Sequence, residues 1–247
     1  MFNTVQALVL REVRYKEADR ILTLLTKSSG KLSVKARGAL RRGSKIGAAS
    51  QQLTYSEMSL FENRGKWTAD EGTVIENFEG LRTDIADLSL GCYFAECLEA
   101  LSVEDQPDEA MLQLGLNSLY ALSRKLYPSA LIKAAFELRL MCLSGYTPEL
   151  GGCAICGCPE PEKPFLSLSS GVICCRKCRN SAMGQVMPLG DGALAAMRYV
   201  VSAPAKRLFS FGIEGEALRR LSEASEQYLL RQTERRFGTL DYYKKVK

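Results

Sequence analysis

The chain opens on an apolar run with two sides. Val5, Ala7 and Val9 alternate with Gln6, Leu8 and Leu10, so both faces of the predicted strand carry apolar residues. "RILTLLT" (20–26) predicts a second strand, "KSSG" (27–30) supplies turn chemistry, and "KLSVKARG" (31–38) returns to strict alternation. There Leu32, Val34 and Ala36 point one way, and Lys31, Ser33, Lys35 and Arg37 the other. "REVRYKEADR" (11–20) reads as a loop, and 56–62, 66–70 and 72–78 read as further short strands. About five short strands joined by turns predict a small closed or partly open barrel; an SH3-like barrel fits the spacing almost as well.

From Leu81 the period becomes helical. Leu81, Ile85, Leu88, Cys92, Ala95, Leu98 and Leu101 recur at steps of three and four and are predicted to share one buried face. Pro107 restarts the chain into a helix with an acidic first turn, and another opens near Pro128 and closes at Gly145. Helical patterns return at 192–203 and 214–237, the latter with a mixed seam of Leu218, Leu221, Ser225, Tyr228 and Gln232. The layout is α+β and multidomain: a β head over 1–80, a helical body over 81–150 and 181–247, and a cysteine-rich insert over 151–180.

Composition narrows the chemistry. The chain has no histidine, which removes Ser–His–Asp and Cys–His catalysis, HExxH zinc peptidases and any imidazole-ligated metal. No GxxxxGK[ST] loop or Gly-rich dinucleotide turn is present either; "GSKIGAAS" lacks the strand–loop–helix context. The expectation is therefore a protein that is not an enzyme, with a nucleotide enzyme carrying a zinc lid as the remote rival. The sequence shows no charged-then-apolar leader and no apolar run of membrane-spanning length, so a soluble intracellular chain is expected.

Cysteines in a reducing compartment point to metal or catalysis before disulfides. Six of the nine cysteines fall within 151–178. Cys153–Ala–Ile–Cys156 and Cys175–Arg–Lys–Cys178 are two CxxC pairs separated by 18 residues, a zinc-site spacing. Two residues between sulfurs let a tight turn aim both thiolates at one tetrahedral ion, and Gly157 supplies a permissive backbone beside it. One structural zinc held by Cys153, Cys156, Cys175 and Cys178 is expected, with Cys158 and Cys174 as bystanders. A Cys174–Cys178 pair also satisfies general ligand spacing, but adjacent Cys174 and Cys175 point in different directions. A dithiol redox centre needs only one pair, and ferredoxin spacings differ. With four thiolates the site has no open position, so it folds the insert without catalysing. Cys92, Cys97 and Cys142 read as small core residues.

Net charge is only +5, but residues 11–45 carry 11 Lys+Arg against 3 Asp+Glu. Lys31, Lys35, Arg37, Arg41, Arg42 and Lys45 follow one another with no acid among them, and Arg14 and Lys16 add a second rim. Ordinary surfaces intersperse acids, whereas phosphate backbones reward such clustering through counterion release. These eight cations are the predicted nucleic-acid contacts. Tyr15, Tyr55, Phe61 and Trp67 lie nearby as possible stacking partners, although each alone reads more simply as core. Residue chemistry does not separate DNA from RNA, so an RNA-binding barrel stays open.

"VQALVLREVRYKEADRILTLLTKSSGKLSVKARGALRRGSK", with its Tyr-x-Glu-x-Asp segment (Tyr15, Glu17, Asp19), resembles the opening of the bacterial DNA repair and recombination protein RecO family. The CxxCG…CxxC insert between helices is similar to that family's zinc finger, and the resemblance extends over essentially the whole length. Cys158 and Cys174 depart from the pattern. The resemblance implies an N-terminal OB fold, a helical body and a zinc-finger insert. It further implies a cytoplasmic, nucleoid-associated mediator that binds single- and double-stranded DNA and anneals complementary strands. The implied partners are RecR and the C-terminal tail of single-strand binding protein, with help in loading RecA as the outcome.

Overall fold

The computed structural model describes residues 2–182 and 184–247. They divide into two compact units, residues 1–124 with 237–247 and residues 125–236.

The first unit contains a closed five-stranded barrel in the order β1-β2-β3-β5-β4. Its strands are β1 (Phe2–Tyr15), β2 (Asp19–Thr26), β3 (Gly30–Ala36), β4 (Tyr55–Asn63) and β5 (Lys66–Glu76). All pairings are antiparallel except β3 with β5, the parallel contact that closes the sheet and leaves no long edge open. Val5, Ala7, Val9, Leu22, Leu24, Leu32, Val34, Ala36, Met58 and Leu60 fill the interior, with Ile46 and Ala49 added from the long segment between β3 and β4. The opposite face of β1 is buried as well: Leu8 and Leu10 are shielded from solvent. Gly115 explains part of this, because a Cβ there would stand 2.7 Å from Leu98 and 3.3 Å from Leu8. The two-sided apolar pattern of the first strand thus serves two layers, barrel interior and helix cover.

Three helices complete this unit: α1 (Ile85–Leu101), α2 (Glu109–Ser123) and α6 (Gly238–Val246). Asp84 caps α1, accepting from the N–H groups of Ala86 and Asp87 at 2.8 and 3.2 Å, and Asp108 caps α2 through Met111 at 2.9 Å. α6 packs on α1. There Tyr93 meets Phe237 edge-on at 5.8 Å, and Glu96 accepts from the Thr239 N–H at 3.0 Å and from its hydroxyl.

The second unit combines α3 (Ser129–Leu143), α4 (Asp191–Ser202) and α5 (Gly215–Thr233) with a four-stranded sheet of order β6-β8-β7-β9. The sheet strands are β6 (Glu149–Cys153), β7 (Phe165–Ser167), β8 (Val172–Cys174) and β9 (Val186–Pro188). α3 and α5 share a buried ionic cluster in which Lys133 meets Glu137 at 2.7 Å and Glu226 at 2.9 Å. Burial works against the Lys133 ammonium, but the two carboxylates outweigh it and hold its pKa above the ordinary lysine value. Among the described residues no helix is long and apolar enough to cross a membrane.

Several expectations change in detail. Segment 11–20 is not a loop: it forms the end of β1, a short turn and the start of β2. The strands expected at 66–70 and 72–78 are one, β5, because both halves pair continuously with β4 across a bulge. Of the face expected around α1, Leu81, Ala95 and Leu98 are buried, but Leu90, Tyr93, Phe94 and Cys97 join them and Ile85 is 54% exposed. The expected helical body is shared between the two units, since α1, α2 and α6 pack within the first. The sheet that carries the cysteines runs from Glu149 to Pro188, beyond both ends of the expected insert.

Candidate metal centre and nucleic-acid interface

The cysteine pairs sit where short strands end in turns. Cys153 closes β6, and its N–H donates to the Cys158 carbonyl at 2.8 Å while its own carbonyl accepts from Gly157 at 2.9 Å. Gly157 has φ +72°, the left-handed conformation that the tight return requires. Ala154 donates to Ile173 at 2.8 Å, tying this turn to β8. At the other pair, the Cys178 N–H donates to the Cys175 carbonyl at 3.0 Å. The Cys175 N–H points at the Cys153 sulfur at 3.4 Å.

This geometry brings the Sγ atoms of Cys153, Cys156, Cys175 and Cys178 within 4.8 Å of one another, with Cys156 and Cys175 at 4.0 Å. Four sulfurs around a tetrahedral zinc stand about 3.8 Å apart, given Zn–S bonds of ~2.3 Å. Donor type, number and spacing therefore fit such an ion. The electrostatics agree with the need for one. Burial works to raise the Cys153 thiol, yet the N–H groups of Cys156, Cys175 and Ile155 bring it down to about 6. Cys178, sharing its proton with the sulfur of Cys175, is pushed up to about 12. Without a cation the four sulfurs cannot all ionise together; a divalent ion removes that conflict by displacing the protons.

The remaining two cysteines of the segment pack against this cluster without joining the four sulfurs. Cys158 turns its thiol to the Glu160 carbonyl at 3.2 Å. Cys174 is fully buried, and burial pushes its thiol up. Arg176, Lys177 and Arg179 are exposed around the second pair, with Arg179 stacked 5.8 Å from the Phe165 ring.

The eight predicted cations lie on the barrel, and the fold sorts them. Lys31 donates to the Glu99 carbonyl of α1 at 2.9 Å and is half-buried. Lys35 meets Asp19 at 2.9 Å, and Arg37 approaches Asp70 at 4.0 Å. Arg14, Lys16, Arg41, Arg42 and Lys45 are exposed and make no ion pair among the described residues. Two cations of the same sequence segment are structural. Arg11 forms a two-pronged contact with Glu99 at 2.8 and 2.9 Å. Arg20 donates to Ser50 at 2.8 Å and to the Gly47 carbonyl at 3.1 Å and forms an ion pair with Glu12 at 3.3 Å, pinning the β3–β4 segment to the end of the barrel.

Asp19, visible in the sequence only as part of a motif, organises this face. Its carboxylate accepts from the Gly38 N–H at 2.8 Å and holds Lys35, while Leu40 donates to the neighbouring Ala18 carbonyl at 2.9 Å. The Gly38 and Lys35 bonds hold its pKa below the ordinary aspartate value. The β1–β2 turn is thereby stitched to the segment that carries Arg37 to Lys45. An acid directly before an apolar strand and opposite a basic one was the available signal.

Residues 1–78 match the family model for the N terminus of recombination protein O, and residues 82–241 match that for its C terminus. Curated relatives named DNA repair protein RecO align along most of both chains. The relative from Acetivibrio thermocellus is 34% identical over 96% of this chain and 94% of its own. That from Symbiobacterium thermophilum is 30% identical over 96% and 95%, and that from Heliobacterium modesticaldum 35% over 88% and 80%. The barrel, the helices and the four-cysteine cluster thus come together in a chain that belongs to the RecO family of DNA repair and recombination proteins.

Proposed function

We propose that this chain is a non-catalytic recombination mediator that binds single- and double-stranded DNA through its barrel and anneals complementary strands. The observation that carries the reading is the set of exposed, unpaired cations, Arg14, Lys16, Arg41, Arg42 and Lys45, on two segments that Asp19 stitches together. Lys35 and Arg37 border them: Lys35, steadied by Asp19, would face a phosphate, and Arg37 would exchange the more distant Asp70 for one; Lys31, tied to α1, adds to the field more than to the contact. One zinc per chain, held by Cys153, Cys156, Cys175 and Cys178, would stabilise the second unit's sheet from a closed coordination shell. RecR and the C-terminal tail of single-strand binding protein are the proposed partners, RecA loading the proposed outcome and the cytoplasmic nucleoid the proposed location. Family membership supports these four, and no residue assignment is attached to them.

A salt titration of binding to a fluorescent single strand tests the interface. Replacing Arg41, Arg42 and Lys45 together by Glu is expected to weaken binding and to lower the salt slope by about 2, at ~0.7 per lost phosphate contact. An unchanged affinity and slope would remove these residues from the interface. Competition by matched DNA and RNA strands in the same assay decides between the two nucleic acids.

A further inference from the structure

The barrel carries four aromatic side chains near the basic segment, and they are not equivalent. Tyr55 is half-buried and donates its hydroxyl to Gln6 at 3.0 Å, Trp67 packs on the barrel core, and Phe61 is half-buried within β4. Tyr15 is 41% exposed at the tip of β1. Its orientation has a definite cause. β1 pairs with β2 in regular register up to Val9 and again from Arg11, so Leu10 is an extra residue that reverses the alternation. Val5, Ala7 and Val9 face the barrel interior, but beyond the bulge Val13 and Tyr15 face outward. The Leu10 carbonyl left by the bulge accepts from the Gln52 side chain at 2.9 Å, so the turn of the strand is fixed.

On that outer face Tyr15 pairs with Asp19 across the hairpin, and Lys35 follows on the adjacent strand beside Ile21. The Lys35 ammonium bonds Asp19 and lies 5.3 Å from the Tyr15 ring centre; that of Lys16 lies 5.6 Å from it. An exposed ring flanked by two ammonium groups offers, within the reach of one nucleotide, a π surface for a base and a site for its phosphate. Bases in a duplex are already stacked on both faces, so only an unpaired base gains from the ring.

We infer that Tyr15 is the base-stacking platform of this interface and makes it favour unpaired strands, with Lys16 and Lys35 holding the phosphate beside the stacked base. The inference rests on the barrel being the nucleic-acid surface. Its test compares Tyr15→Ala and Tyr15→Phe with the unaltered chain on a single strand and on a blunt duplex, each titrated with salt. Tyr15→Ala is expected to lose about 5- to 100-fold on the single strand, the range of one base–aromatic stack, with its salt slope and its duplex affinity unchanged. Tyr15→Phe keeps the π face and is expected to bind as the unaltered chain does. Unchanged single-strand affinity in Tyr15→Ala, or an equal loss on both substrates, overturns the inference. If the Arg41, Arg42 and Lys45 variant still loses binding in that case, the barrel interface stands and only the platform falls. If the unaltered chain binds neither substrate, both fall.

Discussion

The four-cysteine cluster and the basic face of the barrel are both sites that gather like charges, and they are assembled in opposite ways. Each cysteine pair is made by one turn of chain, so the two intervening residues already encode the distance between sulfurs. The basic face draws on β1, the turn after it, β3 and the segment that follows, and beside Glu12 and Asp19 of its own stretch it takes acids from elsewhere in the chain. Glu99 from α1 neutralises Arg11, and Asp70 from β5 approaches Arg37. An excess of cations along a sequence is therefore an upper bound on free charge, because the fold supplies partners that the local count does not contain. The four sulfurs face one another, whereas the exposed cations face solvent.

The sharpest way to break that contrast is to remove one sulfur of the cluster. Cys175→Ser is expected to abolish metal binding and to disorder the β6-β8-β7-β9 sheet, since a structural zinc contributes on the order of 10 kcal/mol of apparent folding free energy. Cys174→Ser is expected to retain about one metal per chain and to cost ~1–3 kcal/mol for a hydroxyl placed in an apolar site. Metal content after gel filtration and urea unfolding read both outcomes. Barrel-borne binding to a single strand should survive in the Cys175→Ser protein. A fall in affinity that tracks metal content would mean that the two regions do not divide the work.

A smaller effect separates the two kinds of cation on the barrel. Arg20→Ala removes two hydrogen bonds and an ion pair and leaves Glu12 and Ser50 without their guanidinium, so a loss of about 2–3 kcal/mol in unfolding free energy is expected. Arg42→Ala, at an exposed position, should leave stability within ~0.5 kcal/mol. It should instead lower the salt slope of single-strand binding by about 0.7. Reversal of these outcomes, with Arg42 stabilising and Arg20 dispensable, would undo the sorting of structural from contacting cations.

The parts of the fold legible in the sequence are those set by local pattern. Alternation over 31–38 placed β3 and its inward residues, and Pro107 and Pro128 marked the starts of α2 and α3. The strands beside the cysteines escaped because β7, β8 and β9 are three residues each, too short for alternation to register. α6 escaped for a related reason: over nine residues only Leu240 and Tyr243 are buried, and its N-cap residue Phe237 offers no capping side chain, the cap coming instead from Glu96 on α1. The reversal at Leu10 was invisible, since a bulge leaves no mark in an apolar run; that single residue decides whether Tyr15 points into the barrel or out of it. Likewise the family motif over Tyr15, Glu17 and Asp19 was legible as a motif but not as a device. Its meaning depends on Lys35 and Gly38, which the pairing of β2 with β3 brings to Asp19.

The smallest expected effect lies in that device. Asp19 has a folded-state pKa below its ordinary value, so its contribution to stability is complete above the unfolded value near 3.8 and is lost as pH falls through the folded value. Asp19→Asn should cost about 1 kcal/mol near neutral pH, because the carboxylate is replaced by a weaker acceptor for Gly38 and Lys35. The gap between the two proteins should stay constant from pH 7 to about 5 and close in more acidic buffer, where the unaltered chain loses the same charge. Urea unfolding at each pH measures it. A gap that persists below the folded pKa would locate the benefit of Asp19 in its shape and hydrogen bonding. A gap that closes would locate it in the charge that holds Lys35 beside Tyr15. The second result also predicts that Asp19→Asn, alone among the carboxylate variants of the barrel, weakens single-strand binding although it removes a negative charge, because a freed Lys35 no longer stays beside the ring. Simple electrostatics gives the opposite sign, so one affinity measurement separates positioning from field.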